Sequence, residues 1–302
     1  MKNFLSRIVA LATGGESGTT GNLSWSISGE TLTIKGTGAM PDYKSSTSPW
    51  RPYRKSITSV VIGNGVSSIG NRAFFKFPDL TAVTIPDSVI TIGNSAFSGC
   101  RGLTSVTIPH SVTTINHGAF YDCGLTSVNI PHSVTAIGDG AFFRCSDLTS
   151  VTIDLAEGSA APDVLTIIPS RAFSGCRSLT SIMIPHSVTT IRSGAFSGCH
   201  NLRSITIPDS VTTIRSGAFS GCRSLSFVTI PNSLIFIGNY VFSDCHRLTE
   251  IINYATTPLT IDEKVFNNMD KTACTLHVSA DSVDAYQAAE VWKEFRVTSM
   301  FR

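Results

Sequence analysis

Apolar residues recur along this chain in short alternating bursts, each closed by a proline. Val106-Thr107-Ile108 sets two branched apolar side chains on one face and threonine on the other, and Pro109 follows at once. Alternation over so few residues predicts a strand. Proline, with no amide hydrogen to give a ladder, predicts where the strand ends. Val112 and Ile115 mark a second extended segment facing the same interior, and Gly118-Ala119-Phe120 predicts a turn that plants a phenylalanine in the core.

The pattern returns along the chain. An Ala-Phe or Val-Phe pair ends at Phe74, Phe97, Phe120, Phe142, Phe173, Phe196, Phe219, Phe242 and Phe266, in steps of 23, 23, 22, 31, 23, 23, 23 and 24 residues. The step of 22 arises because "YDCGLTSV" lacks one residue that "SGCRGLTSV" carries, and the step of 31 because "DLAEGSAAPDVL" carries a net insertion of eight. No single unit can bury its own apolar groups. Equivalent coils stacked about 4.8 Å apart bury them as continuous columns.

The units, of which "LTSVTIPHSVTTINHGAFYDC" is typical, resemble leucine-rich repeats of the variety found in BspA-like surface proteins of the Treponema and Bacteroides type. In place of the usual asparagine after the strand they carry Pro-x-Ser-Val and a later cysteine. The resemblance implies a right-handed, horseshoe-like β-rich solenoid with its parallel sheet on the concave face. It also implies an exported, adhesin-like or protein-binding role without catalysis. The organisation read from the chain is a leader or disordered segment over residues 1–18 and a β-rich front cap over 19–56. About nine coils follow over 57–270, with an insertion at 154–165, and a closing cap with a helix spans 271–302.

Both caps have a physical rationale, since an open stack exposes a core cross-section at each end. At the front, "LSWSISGETLTIKG" alternates on both sides of Gly29-Glu30 and predicts a hairpin, with Trp25, Trp50 and Tyr53 covering the first coil. At the back, a helix from about Ser282 to Phe295, capped by Ser279 or Asp281, presents Val283, Tyr286 and Ala289 on one face.

Cysteine follows the phenylalanine by three residues at Cys100, Cys123, Cys145, Cys176, Cys199, Cys222 and Cys245, while the end coils carry Phe77 and Met269 there. One thiol per coil, without paired spacing, argues against zinc. Parallel Cβ atoms near 4.8 Å are also too far apart for a bridge that prefers about 3.8 Å. The column reads as small buried hydrophobic filler. Cys274 has no evident partner.

Composition narrows the function classes. Hydrophobic residues make up 42% and charged ones 15%, with a net charge of +2, so neither disorder nor electrostatic capture of nucleic acid is suggested. No apolar run is long enough to span a membrane. "MKNFLSRIVALATGG" reads either as a degraded export signal or as an adventitious leader. His110, His132 and His186 share a slot with Asp87, Asp209 and Asn232, and "GTGAM" lacks the lysine of a phosphate loop. Repetition gives parallel copies rather than a convergence of nucleophile, base and acid. No enzyme, metal or cofactor is expected.

What remains is surface. Outward strand positions form rows of serine and threonine interrupted by Met183 and Phe227, which read either as anchors for a partner or as incidental breaks in a solvated ladder. Between Ile168 and Thr260 there are seven arginines against three acids, Arg177 and Arg223 among them, with Arg192 expected to stack on Arg215 one coil apart and His200 on Arg223. A solvated edge is the simpler reading of them. The sharper one is a surface for an acidic protein or a sulfated glycan. The expected function is a monomeric, extracellular or cell-surface binding module for a protein or glycan, with no nucleic acid partner and no membrane insertion. The alternative is a display spacer with no ligand.

Overall fold

Each repeat becomes one coil because its apolar positions lie on two short extended segments and one tight turn. A computed structural model describes residues 15–44, 47–154 and 165–300. The chain divides into two units, residues 1–145 and 146–302, each a parallel-strand β-solenoid.

In the first unit, β1 (Ser17–Thr20), β2 (Leu23–Ser28) and β3 (Thr31–Gly36) form an antiparallel meander, and the turn of the expected hairpin falls at Gly29, whose φ of 57° is left-handed. Ordered structure therefore begins inside the stretch assigned to a leader. β3 then pairs in parallel with Ser59–Ile62, and that strand with Ala82–Thr84. A second ladder joins Val66–Ile69, Thr91–Ile92, Thr114–Ile115 and Ala136–Ile137, all parallel. In the second unit the first ladder runs through Ser204–Thr206, Phe227–Ile230, Glu250–Asn253, Thr275–Val278 and Arg296–Ser299. Its last two strands belong to the closing cap, which continues the sheet as well as covering it.

The interior is a set of columns. Phenylalanine rings stack face to face, with centroids 5.2 Å apart at Phe74–Phe97 and 5.3 Å at Phe196–Phe219, the planes inclined by 14° and 5°. Trp50 stacks on Phe74 at 5.8 Å and closes the front, while Trp292 and Phe295 meet Phe266 edge-on and close the back. Tyr43, rather than the expected Tyr53, packs edge-on against Trp50; Tyr53 stays only half-buried.

Two motif residues do more than fill space. The serine of Pro-x-Ser-Val donates to the valine carbonyl one coil back, as Ser111 Oγ does to Val89 O at 2.8 Å and Ser210 Oγ to Val188 O at 2.7 Å. The cysteine thiol donates to the phenylalanine carbonyl one coil back, from Cys100 to Phe74 at 3.1 Å and from Cys222 to Phe196 at 3.3 Å. The column read as plain filler is thus a row of weak donors. All eight thiols are buried and unbridged.

Two predicted elements come out differently. The closing helix, α1, spans only Val283–Ala288 and has no side-chain cap from Ser279 or Asp281. Ala289 is already extended and Val291 adopts a φ of 69°, which swings Trp292 round to lie against Phe266 and to donate to Leu259 O. The other exception is an expected strand of the first unit. Val106-Thr107-Ile108 forms no strand. The leader residues 1–14 and the inserted residues 155–164, with Glu157 and Asp163, lie outside the described residues.

Candidate functional site

The thiols are held in an inert setting. Burial pushes the Cys100 thiol up to about 12, against the pull of a backbone hydrogen bond, and raises those of Cys199 and Cys222 well above the ordinary range. Such thiols stay protonated at neutral pH and are poor nucleophiles. His110 and His132 lie one coil apart with ring centroids 5.5 Å apart and planes inclined by 38°, and His186 is exposed. Among the described residues no group of three or more His, Cys, Asp or Glu is arranged to hold a metal. Nor is any helix among them long and apolar enough to cross a membrane.

The residues predicted to meet a partner all belong to the second unit, but they do not form one patch. Met183 is 73% exposed and stands in the threonine row, next to Thr206. Phe227, half-buried, stands in the serine row between Ser204 and Glu250. The arginines divide between two further columns. Arg192 and Arg215 follow the second ladder, in which Thr190 pairs with Thr213, and the Arg215 guanidinium lies 5.6 Å from the centre of the Phe236 ring. Arg177 and Arg223 follow the cysteines and flank His200, whose pKa is lowered first by burial and then by these two cations. None of the four has an ion-pair partner among the described residues. The sequence reading missed Phe236 and Ile235, which are 47% and 72% exposed. The signal was available, since both replace threonines of the preceding coil, Thr213 and Thr212.

The first unit also holds a cleft that the repeat pattern does not announce. Where Ser105–Ile108 should continue the ladder, a cleft of about 470 Å³ opens, bordered by Ile85 and Asp87 on one side and Ser127–Asn129 on the other. Pairing begins with the Thr126 amide donating to Thr104 O at 3.0 Å and then stops. Among the described residues nothing bonds the backbone N–H or C=O groups of Ser105, Val106, Thr107 or Ile108. Val106 is half-buried, as is Val83 at the same position of the coil before it, whereas Val60 and Val228 are fully buried. The coil's remaining inward residues, Val112, Ile115 and Phe120, are fully buried. The defect is confined to the strand.

Known proteins share this architecture. A leucine-rich repeat protein from Eubacterium ventriosum is similar at 27% identity, over 94% of this chain and 84% of that one, with a TM-score of 0.56. One from Bacteroides ovatus has the same fold at 20% identity, over 95% of this chain and 98% of that one, with a TM-score of 0.53. No curated protein matches the chain significantly. The family model for the BspA type leucine rich repeat region matches residues 67–157 and 166–287. With its Pro-x-Ser-Val serines and column of buried cysteines, the chain belongs to the BspA-type leucine-rich repeat family.

Proposed function

We propose that the protein is a non-enzymatic binding module, working outside the cell or on its surface, that holds a protein or glycan through the second unit. The observation that carries this reading is the set of exposed groups left unsatisfied on an otherwise hydroxyl-rich surface. Met183 stands free in a threonine row, and Arg177, Arg192, Arg215 and Arg223 form no ion pair among the described residues. Unpaired cations beside apolar anchors suit an acidic protein surface or a sulfated glycan. The extracellular setting is what the family resemblance implies, and fractionation of the producing cell tests it.

The binding test uses the whole chain against arrays of matrix proteins and glycans. Saturable capture is expected, and about tenfold weaker capture by Met183→Ser/Phe227→Ser, by Arg192→Glu/Arg215→Glu or by Arg177→Glu/Arg223→Glu. No saturable capture, or capture unchanged in all three variants, removes the reading and leaves a display spacer.

A further inference from the structure

We propose that the gap at Ser105–Ile108 in the first unit receives an extended peptide strand that carries a basic residue. The inference is independent of the second-unit surface and rests on four observations.

The backbone N–H and C=O groups of Ser105, Val106, Thr107 and Ile108 are unpaired within the described residues, in a fold whose neighbouring coils pair theirs. Alternating amide donors and acceptors are the complement that another extended backbone supplies, and peptides bind open strand edges in this way. The cleft also falls within the ~300–1,000 Å³ typical of ligand sites. Half-buried Val106 leaves an incomplete apolar floor, which an inward-facing side chain of a bound strand would cover. Asp87, which lines the cleft, has neither an ion pair nor a side-chain hydrogen bond among the described residues. A lysine or arginine of the peptide supplies the missing charge. A metal is disfavoured, because His110 brings only His132 beside it and no third ligand.

The test titrates the full chain with a labelled, end-blocked octapeptide of alternating valine and threonine with one central lysine, read by fluorescence anisotropy. Saturable binding is expected. The same peptide with alternate amides N-methylated keeps its side chains but loses its donors, and should bind about tenfold more weakly or worse. Replacing its lysine with glutamate, or Asp87→Asn in the protein, should weaken binding several-fold. Inserting a serine between Gly124 and Leu125, which restores the common turn length, should abolish peptide binding. Met183→Ser/Phe227→Ser should leave it unchanged. Equal affinity for the N-methylated peptide, or no saturation at millimolar peptide, overturns the proposal. Capture of an oligosaccharide at this cleft without peptide binding does so too.

Discussion

Ser105-Val106-Thr107-Ile108-Pro109 in the first unit and Ser204-Ile205-Thr206-Ile207-Pro208 in the second differ at a single side chain, valine against isoleucine. The second stretch is a strand, with Ser204, Ile205 and Thr206 in register with Phe227, Val228 and Thr229. The first is not. Valine favours strands as strongly as isoleucine does, so local propensity does not separate them. Their following neighbours do. The coil after Ser204 enters the ladder through the full-length turn Cys222-Arg223-Ser224-Leu225, and the coil after Ser105 through the shorter Cys123-Gly124-Leu125. At Gly124 the chain runs so close to the Arg101 carbonyl that an added Cβ would lie 2.1 Å from the oxygen. A strand in a stacked fold is therefore a property of two adjacent coils, and of the lengths of the turns that bring them together.

The largest expected effect tests what the two regions share. Cysteine columns line both units, and the thiols are held protonated by burial. Below about pH 9 a thiol carries its proton in both folded and unfolded chains. Above that, the unfolded chain releases protons that the folded one keeps, so stability falls as pH rises towards the folded value of about 12 at Cys100. Each such thiol contributes a slope of up to ~1.4 kcal/mol per pH unit. Denaturant midpoints measured between pH 7 and pH 10.5 should drop steeply, and less so for Cys222→Ala. A flat profile would mean that the sulfurs are exposed.

Next in size, Phe120→Ala and Phe219→Ala should each cost about 3–5 kcal/mol, because each ring is stacked on both faces and fully buried. Near-equal losses by chemical denaturation would show that the coil with the gap keeps its interior. A much smaller loss at Phe120 would extend the defect into the core. Smaller still, Val228→Ala should cost roughly 2 kcal/mol and Val106→Ala well under half of that, since only Val228 is sealed. At the low end, Arg215→Ala should cost ~0.5–1 kcal/mol through its contact with Phe236.

Much of the fold was legible because repetition multiplies a weak signal. One Val-Thr-Ile burst says little, but phenylalanines at near-constant steps predict a stack of rings. Trp50 could be read as a lid because the stack needs one. The closing helix was over-extended because its periodicity at Val283, Tyr286 and Ala289 ignores the demand that Trp292 cover Phe266. Likewise, the hydroxyl of Ser111 and the thiol of Cys100 act on a carbonyl a whole coil away, at sequence separations of 22 and 26, and no local pattern encodes such partners. The cleft was illegible for the same reason. It coincides with a missing residue some twenty positions downstream, visible as a step of 22 but read as a tolerated loop edit. The candidate anchors Met183 and Phe227 were legible as breaks in a row, yet the separation of Arg192 and Arg215 from Arg177 and Arg223 needed the columns themselves.

Hydrogen exchange resolved to single amides compares the two stretches most directly. The amides of Val106, Thr107 and Ile108 should exchange orders of magnitude faster than those of Ile205, Thr206 and Val228, and close to the rates of exposed loops. Equal protection in both stretches would mean that the ladder is continuous through Ser105–Ile108, and the account of the gap would fail with it.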